Sequence, residues 1–419
     1  MTASEADQDV RIVRAIREAL ASVPFYASYS KQGVAPPAEG VSRTSALAAM
    51  PLLTRDKIRP TLPKAWMPSS RDAKAELATG KIAVVETGLG EARVRVLLDG
   101  AWWRAQERRA FGLNETAAAA MQGPYMDAVL WEPTRGTGSC GAGDPSYEER
   151  LEGSRLHLNS RQDPSFWTDV VMTRMLDELT MHETSGLLAD PFYLDILVRH
   201  AAMLGRRLDV KGFVGLSRSL TTASHRTAIK KVFSRPVLQI YSAREAGTLF
   251  VQGDDGLLHH APFASHVELI PAKRPTPGAR NVAFVVVTTL DREVMPLVRY
   301  VIGDLVEVAP SAGLPVPSLV GVEGRLDDSV ILADGAIVTP GAIDRALAPL
   351  ELRGYQLTQR AAGIEIEIIG SARGVAAALE PLVGAVDVRA ATAITVDPNG
   401  KYRTTRRIGV PFKLEEAFS

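Results

Sequence analysis

The chain has 419 residues, which is too long for one ordinary domain, so its length predicts two or three domains. A hydrophobic content of 46% and a charged content of 23% are typical of a globular protein with a sizeable core. Its 48 basic residues balance its 48 acidic ones, so no basic excess exists to neutralise phosphates, and a nucleic-acid partner is not expected. The single cysteine, Cys140, excludes an intrachain disulfide framework and a multi-cysteine zinc site.

The N-terminal segment does not have the pattern of a signal peptide. Residues 1–20 carry acidic residues early and have no long apolar core. No run in the chain approaches the roughly 18 apolar residues that a membrane-spanning helix needs. We therefore expect a cytoplasmic protein without a membrane partner.

The first third of the chain predicts helices around one glycine-rich hairpin. Residues 4–23 place their apolar side chains near helical spacing and predict a first helix. Residues 52–68, "LLTRDKIRPTLPKAWMP", predict a short helix interrupted by prolines. Residues 81–100, "KIAVVETGLGEARVRVLLDG", predict two strands around a glycine loop, and residues 100–113 predict another helix.

The middle of the chain has the alternating pattern of α/β layers. Residues 131–150 predict a long loop rich in glycine and serine. Helices are predicted through residues 163–179 and 190–208, and a helix is expected around Leu187 to Leu194. Short apolar runs at residues 212–216 and 236–241 predict strands between the helices, and residues 266–308 predict mostly strand.

The pattern of predicted elements changes near residue 326. From there it predicts, in order, strand, helix (residues 341–350), strand (361–370), helix (374–386) and strand (392–396). The polar stretch from Arg325 to Asp328 is of the sort that joins mobile domains. We therefore predict an α/β protein of α+β layers: a large N-terminal domain with mixed sheets and helices (1–325), and a small mobile C-terminal α+β domain (326–419).

The glycine loop from Glu86 to Arg93 is the first candidate for chemistry. A dinucleotide-binding motif needs a helix directly after its glycines, whereas the residues that follow here alternate with period two and predict a strand. A glycine loop between two strands can still wrap phosphates with its backbone N–H groups. A plain hairpin turn explains the loop equally well.

Three further segments carry candidate residues, each with a plain alternative. In "VRYVIGDL", Arg299 and Asp304 flank a glycine, and Asp304 could accept two hydrogen bonds from a ribose diol or could be an ordinary hairpin residue. The charged stretch from Arg325 to Asp328 could be only a linker. Lys401 follows Asn399-Gly400, a type I′ hairpin signal, and matters only if the small domain carries it into a cleft.

Other polar motifs predict no site. His182 and Glu183 have no third metal ligand at a suitable spacing, and structural roles are favoured for His259 and His260. The serines near residue 217 lack the G-x-S-x-G elbow of a serine hydrolase.

The order of these motifs is more specific than any one of them. The chain has the glycine loop, then "YSAREAG", "VRYVIGDL", "GRLDD" and "NGKYR", and its opening segments include "VPFYASYSKQGV" and "MPLLTRDKIRPTLP". This series resembles the adenylate-forming (acyl-CoA synthetase/ligase) superfamily, most closely its phenylacetate–CoA ligase-like branch. The resemblance covers nearly the whole chain and is specific from Tyr241 onward.

The resemblance implies a nucleotide site. Tyr241 would stack on adenine, Asp304 would take the ribose hydroxyls, and Arg325 would lie close to ribose and phosphate. Where the family's phosphate loop ends in Lys-Pro, this chain has Glu91 and Ala92. The nucleotide-binding residues that the resemblance implies are Thr87, Gly88, Gly90, Ser217, Ser219, Tyr241, Ser242, Asp304 and Arg325.

The resemblance also implies catalytic residues. Glu245 would bind the Mg²⁺ that bridges the ATP phosphates, and Lys401 would reach the carboxylate oxygen and the α-phosphate during adenylation. Arg325 would assist them. Asp327 matches the hinge about which the small domain turns.

The implied activity is the AMP-forming activation of a carboxylic acid by ATP, followed by transfer of the acyl group to CoA or to a phosphopantetheine thiol. The branch favours an aromatic or small acid. The implied partners are therefore that acid and, for a phosphopantetheine acceptor, a carrier protein; a homodimer is left open. Two alternatives remain: an adenylating enzyme with an amine or peptide acceptor, and a non-catalytic nucleotide-binding relative with an altered phosphate loop.

Overall fold

The computed structural model describes residues 5–88, 93–133, 145–161, 163–208, 210–272, 281–310, 316–398, 400–412 and 414–417. Gly90, one of the predicted phosphate-loop glycines, lies outside these residues. So do Glu91, Ala92, most of the glycine- and serine-rich loop, and Asn399 of the predicted turn before Lys401.

Most of the described helices begin at a side-chain cap, as the Ser, Thr, Asp and Asn residues before them dictate. None of the described helices is both long and apolar enough to cross a bilayer. The helices are α1 Glu5–Ser22, α2 Pro24–Lys31, α3 Arg43–Ala48, α4 Arg55–Ile58, α5 Ala73–Ala78, α6 Gly100–Phe111, α7 Glu115–Ala120, α8 Asp169–Met181, α9 Pro191–Met203, α10 Ala223–Val232, α11 Pro340–Leu347 and α12 Val375–Val383.

The strands form one large mixed sheet, a smaller C-terminal sheet and two hairpins. The large sheet has the order β11-β12-β13-β14-β10-β9-β8-β7-β6-β3-β5-β4, and the smaller has the order β19-β18-β17-β20. The strands are β1 Ile82–Thr87, β2 Val94–Asp99, β3 Asp127–Leu130, β4 Leu151–Glu152, β5 Arg155–His157, β6 Gly186–Ala189, β7 Phe213–Leu216, β8 Val237–Ala243, β9 Gly247–Gln252, β10 Leu258–His260, β11 Ser265–Pro271, β12 Val282–Thr289, β13 Tyr300–Val308, β14 Leu319–Arg325, β15 Val330–Ile331, β16 Ile337–Val338, β17 Gly354–Arg360, β18 Gly363–Ile369, β19 Val386–Ala390 and β20 Thr405–Ile408.

These elements confirm the predicted α/β architecture and most of its order. The first helix is α1, and it buries Ile12 and Ile16 completely, whereas Val10 points outward with 64% of its surface exposed. The glycine loop joins two antiparallel strands, β1 and β2, in which Thr87 pairs with Val94. Gly88 follows Thr87 with φ of +78°, a conformation that glycine adopts without strain.

The parallel part of the large sheet positions the candidate site. Strands β3, β6, β7 and β8 run parallel, so their carboxyl ends lie along one edge. All four residues of each of β3, β6 and β7 are buried, which explains the continuous apolar sequences of β6 and β7, while Asp127 of β3 pairs with Arg155. Since ligands of open α/β sheets bind beyond the carboxyl ends of such strands, the residues that follow these strands are candidates for the site.

Two local predictions were wrong, and one strand was missed. The segment from Leu187 to Leu194 is not one helix, because Leu187 to Ala189 form the last part of β6 and α9 begins only at Pro191. The strand predicted at residues 361–370 is present as β18, but its hairpin partner β17 was not predicted. The predicted strand at residues 392–396 is an irregular segment, and β19 lies earlier, at Val386–Ala390.

The C-terminal residues pack their own apolar cluster. Helices α11 and α12 cover one face of the smaller sheet, with Ile343, Leu357, Ile366 and Leu379 fully buried between them. A second cluster joins this region to the large sheet through Leu326 and neighbouring strands. The C-terminal segment therefore has a core of its own and also touches the rest of the protein.

Two glycines of the large sheet allow close approaches that a larger residue would block. Gly303 lies inside β13 with φ of +89°, and a Cβ there would be 2.8 Å from the guanidinium of Arg55. Gly324 in β14 has φ of +109°, and a Cβ there would be 2.6 Å from the ring of Pro340, the first residue of α11. The glycine that the sequence placed beside Asp304 does mark a close approach, as expected.

We predict that Gly324→Ala lowers the free energy of unfolding by about 2–4 kcal/mol, because alanine tolerates this φ poorly and the proline ring cannot move aside easily. Gly321→Ala in the same strand is the matched control. A Cβ at Gly321 meets nothing within 4 Å, so its effect should stay within about 1 kcal/mol. Urea denaturation followed by fluorescence measures both, and equal effects would contradict the steric account.

Candidate active site

Tyr241, Asp304 and Arg325 meet at the centre of the candidate site. Tyr241 donates its hydroxyl to Oδ2 of Asp304 at 2.9 Å, and Arg325 donates Nε to Oδ1 of the same carboxylate at 3.1 Å. Asp304 and Arg325 are register partners across β13 and β14. The pKa of Tyr241 is raised well above its usual value by burial and by the Asp304 charge, so the phenol remains a hydrogen-bond donor. Three predicted nucleotide-binding residues are therefore in direct contact.

Glu245 is buried, and one of its carboxylate oxygens has no hydrogen-bond partner among the described residues. Only 3% of the residue is exposed, and Oε1 lies 3.5 Å from the hydroxyl of Tyr300. Oε2 is buried and has no hydrogen-bond partner among the described residues. Because an unpaired buried carboxylate oxygen is costly, this atom is suited to a ligand that supplies positive charge.

Arg292 supports the turn that carries Glu245. Its guanidinium donates to the backbone carbonyls of Glu245, Val294 (2.9 Å) and Leu97 (2.7 Å) and lies 5.0 Å from the centre of the Trp102 ring. Burial lowers its pKa to about 10, although the Glu245 charge opposes this effect. These contacts fix the backbone of Glu245 while leaving its carboxylate free to face the site.

A charged cluster lies at the carboxyl edge of the parallel strands. Glu132 follows β3, Arg218 follows β7, and Arg244 follows β8. Arg218 donates to both oxygens of Glu132, at 2.5 and 3.2 Å, and Arg244 comes within 4.0 Å of the same carboxylate. Burial alone would raise the pKa of Glu132, but the charge of Arg218 outweighs it and holds that pKa below its usual value.

The segment that carries Lys401 is docked on α9. Tyr193 donates its hydroxyl to the carbonyl of Gly400 at 2.7 Å, and the Phe192 and Tyr402 rings stack with centroids 4.4 Å apart. Burial, the Arg325 charge and the other nearby cations lower the pKa of Lys401 to about 8, although the charge of Glu132 partly opposes them. Lys401 therefore lies near the charged cluster of Glu132, Arg218 and Arg244 at the carboxyl edge of the parallel strands.

A second contact fixes the same pose. Asp344 of α11 accepts a hydrogen bond from the backbone N–H of Ala223, at the start of α10, at 3.0 Å. It also accepts from the hydroxyl of Tyr355 at 3.2 Å. The positive end of the α10 dipole faces this carboxylate, which makes the contact favourable.

The serines that were expected to line the adenine pocket lie after β7. Ser219 donates to Oδ1 of Asp190, the cap of α9, at 2.8 Å, and the Ser217 N–H bonds to Ala189 at 3.0 Å. Oδ2 of Asp190 is buried without a hydrogen-bond partner among the described residues. Burial and the Glu132 charge raise the pKa of Asp190 to about 6. These serines therefore lie beside the acidic part of the edge.

The predicted phosphate-loop residues approach the site through one hydrogen bond. Arg244 donates to the carbonyl of Glu86, the residue before Thr87, at 3.1 Å. This bond places the Thr87–Gly88 end of the hairpin beside the turn that carries Glu245. Ser242, half-buried in β8, hydrogen-bonds to Thr248 at 3.2 Å.

The predicted hinge lies in a short 3-10 turn after β14. Asp327 pairs with Arg55 of α4 at 2.7 Å, and Asp328 pairs with Arg403, close to Lys401, at 3.0 Å. These neighbouring acids thus contact opposite sides of the proposed boundary. Whether Asp327 acts as a hinge stays a prediction.

Other candidate side chains have structural partners. Arg299 makes two hydrogen bonds to Glu268 and does not join Asp304. His182 contacts Tyr147, and His259, for which a structural role was favoured, contacts Asp255. Among the described residues, no group of three or more His, Cys, Asp or Glu could hold a metal ion by itself.

Comparison with known proteins adds structural relatives only. No protein-family profile and no curated protein match the chain by sequence. The 2-hydroxyisobutyryl-CoA ligase in the postadenylation state with 2-HIB-AMP superposes with a TM-score of 0.67 at 16% identity, over 97% of this chain and 89% of that one. The chain has the fold of this acyl-CoA ligase. The anthranilate CoA ligase AuaEII in complex with anthranoyl-AMP gives 0.51 at 10% identity, over 77% of this chain and 66% of that one.

A second structure of the same ligase superposes less well. Its complex with 2-HIB-AMP and CoA in the thioesterification state gives a TM-score of 0.55 at 16% identity, over 98% of this chain and 90% of that one. Coverage and identity are nearly the same in the two comparisons, so the chain superposes better on the postadenylation structure.

Sequence reasoning missed several residues of this site: Glu132, Asp190, Tyr193, Arg218, Arg244, Arg292 and Tyr300. A usable signal existed for three of them. Glu132, Asp190 and Arg218 are charged and follow short apolar strands almost directly, which places them at one edge if the strands are parallel. Arg292 and Tyr300 gave no such signal, because their role depends on contacts between distant strands.

We predict that Lys401→Met raises the melting temperature more at pH 7 than at pH 10. The pKa of Lys401 in the folded protein, about 8, lies below its ordinary value of 10.5, so the unfolded chain binds this proton more tightly. The folded state therefore pays a penalty for the charge below pH 8, and that penalty fades as the pH rises towards 10.5. Differential scanning fluorimetry measures both values.

The control for this experiment is Lys74→Met on the exposed face of α5. It should show no difference between the two pH values. An equal gain at pH 7 and pH 10 for Lys401→Met would show that the buried charge carries no penalty.

Proposed function

We propose that the protein is an AMP-forming acid–thiol ligase, which activates a carboxylic acid with ATP and transfers the acyl group to a thiol. The observation that carries the proposal is that Tyr241, Asp304, Arg325, Glu245 and Lys401 lie close to one another, and the space beside them is the proposed substrate cleft. These residues come from distant parts of the chain. A nucleotide, a metal ion and a reacting carboxylate each find a suitable partner among them.

The nucleotide would bind at the Tyr241 side of the cleft. Asp304 offers carboxylate oxygens to a ribose diol, and Tyr241 offers a flat ring beside it. Arg325, already bonded to Asp304, adds positive charge near the sugar and its phosphate. Further contacts to the nucleotide are proposed for Thr87, Gly88, Ser217, Ser219 and Ser242.

Mg²⁺ fits the open carboxylate of Glu245. Magnesium in nucleotide sites is commonly held by one or two protein carboxylates together with substrate phosphates, so a site of three acidic residues is not required. The unpartnered Oε2 of Glu245 would be its protein ligand. When bound, the ion would neutralise charge that develops on the phosphates during transfer.

Lys401 would serve the first half-reaction. An oxygen of the substrate carboxylate attacks the α-phosphorus of ATP, the bond to the bridging oxygen breaks, and pyrophosphate leaves. Lys401, an ammonium docked in the cleft, would stabilise negative charge on the attacking carboxylate and the α-phosphate. The acyl adenylate then loses AMP when a thiolate sulfur attacks its carbonyl carbon.

We propose that residues 326–419 move as a unit between these two half-reactions, about Asp327. The support is their separate apolar cluster. The contacts that dock them, and that a movement would have to break or carry along, include those at Gly400, Tyr402 and Asp344 and those of Thr339 and Arg345 with Glu323. The present pose would suit adenylation. Withdrawal would open the cleft to CoA or to a phosphopantetheine thiol on a carrier protein.

The acid would bind near the carboxyl ends of β6 and β7, beside α9. The phenylacetate–CoA ligase-like branch favours a small or aromatic acid. The deciding experiment is carboxylate-dependent ATP–pyrophosphate exchange with a panel of aromatic and small aliphatic acids. Exchange with one acid class supports the proposal, whereas a folded protein that binds ATP but exchanges with none would support a non-catalytic role.

We predict that Glu245→Gln lowers exchange by about 100-fold or more, a loss typical of removing one electrostatic stabiliser, while the protein still folds. Glutamine keeps the shape of the side chain and removes the charge that a magnesium ion needs. Glu107→Gln is the control, since the side chain of Glu107 is only 12% exposed and pairs with Arg155 at 2.8 Å, away from the proposed site. Unchanged exchange in Glu245→Gln would refute the metal assignment.

We predict that Lys401→Ala abolishes exchange yet converts chemically supplied acyl adenylate to thioester at near the parent rate. The reason is that Lys401 has no task once the adenylate exists. Chromatography of AMP and thioester follows both reactions, with Lys211→Ala, a surface lysine paired with Glu183, as the control. Equal loss of both half-reactions in a folded variant would disprove alternation of the two domains.

A further inference from the structure

The glycine loop proposed to bind the ATP phosphates carries an acid where the related enzymes carry a lysine. Between Thr87 and Ala92 the chain has no lysine or arginine and carries the acid Glu91. Arg93, at the end of the loop, has a side chain that is 55% exposed and lies 3.7 Å from the carboxylate of Glu86. A triphosphate brings several negative charges, and charged groups taken out of water need direct compensation. Magnesium on Glu245 supplies only part of it, so another cation has to meet the β- and γ-phosphates.

Most cations of the site are already committed to other partners. Arg218 makes two hydrogen bonds to Glu132, and Arg325 is bonded to Asp304. Arg292 donates to three backbone carbonyls under the Glu245 turn. Lys401 arrives with the C-terminal segment and is proposed to act on the α-phosphate.

Arg244 is differently placed. It immediately precedes Glu245, and its Nη1 donates to the carbonyl of Glu86 at the end of the glycine hairpin, at 3.1 Å. Its nearest carboxylate is Glu132, at 4.0 Å, a distance beyond hydrogen bonding. The guanidinium therefore stands between the turn of the proposed metal ligand and the proposed phosphate loop with most of its donors uncommitted among the described residues.

The electrostatics of Arg244 favour an incoming anion. Its side chain is 27% exposed, so a ligand can reach it. A phosphate oxygen within hydrogen-bonding distance of the guanidinium would give its uncommitted donors a charged partner.

We propose that Arg244 binds the β- and γ-phosphates of ATP and takes the place of the lysine at whose position the glycine loop carries Glu91. The inference rests on the proposed function and adds a residue to it. Arg244 is a substrate-binding residue for the pyrophosphate that leaves, and the carboxylic acid is expected to bind elsewhere, beside α9.

Calorimetric titration of Arg244→Ala with ATP and AMP tests this assignment. Loss of a charge-assisted bidentate contact should weaken ATP binding by about 10- to 100-fold. AMP has no β- or γ-phosphate, so its affinity should stay within about 2-fold of the parent value, since no contact with it is removed. Arg244→Lys should recover part of the ATP affinity, because a lysine keeps the charge and loses the fork.

Arg95→Ala is the matched control for charge on the same hairpin. Arg95 lies on β2, is 67% exposed and contacts the side chain of Glu86 on the outer surface. Its removal should leave the affinities for ATP and AMP unchanged. Equal weakening by Arg95→Ala and Arg244→Ala would show a general charge effect and overturn the assignment.

The remaining outcomes separate this inference from the proposed function. If Arg244→Ala weakens ATP and AMP equally, the residue has a structural role and the inference is wrong. If it raises KM for the carboxylic acid and leaves that for ATP unchanged, Arg244 binds the acid and the inference is again wrong. If the parent protein exchanges pyrophosphate and Arg244→Ala binds ATP as tightly as the parent does, the inference alone is wrong. If the parent does not bind ATP, both proposals are wrong.

Discussion

The carboxylate of Asp304 is the point on which the site depends. It accepts one hydrogen bond from Tyr241 at the end of β8 and another from Arg325 at the end of β14, so one acid joins the parallel and antiparallel parts of the large sheet. Because the residue is nearly buried, losing either donor would leave an oxygen without a partner. Arg325 is also the last residue before the proposed hinge, so this contact fixes where the C-terminal segment begins.

The second constraint is the shared edge of the parallel strands. Strands β6 and β7 are apolar and buried, and β3 is buried with one acid, Asp127, that pairs with Arg155. Each strand is followed within two residues by a charged side chain, so further charges collect where the strands end. Glu132 and Arg218 compensate each other there, while the unpartnered oxygen of Asp190 and the partly committed guanidinium of Arg244 leave capacity for polar ligands.

Much of this arrangement could be predicted from the sequence, for physical reasons that differ between elements. Period-two alternation around Gly88 predicted the hairpin correctly, and a glycine before Asp304 correctly marked a close approach. The strand predicted at residues 392–396 was wrong, because a short apolar run does not determine whether it pairs with another strand. The strand that pairs with β18 is instead Val386–Ala390. Nothing in the sequence singles out Arg244, since its significance depends on the carbonyl of Glu86, 158 residues away.

The stacking of Phe192 on Tyr402 has a kinetic consequence. If the C-terminal segment must leave for the thiol to enter, this aromatic pair and the bond from Tyr193 to Gly400 have to break in every turnover. Their strength then sets a compromise: a weak latch leaves Lys401 away from the cleft too often, and a strong latch delays entry of the thiol and so formation of the thioester. Phe192 and Tyr193 lie in the first turn of α9, directly after the cap Asp190, so the proposed acid site and the latch would share one piece of backbone. A change that reshapes the acid pocket would therefore also alter the timing of the cycle.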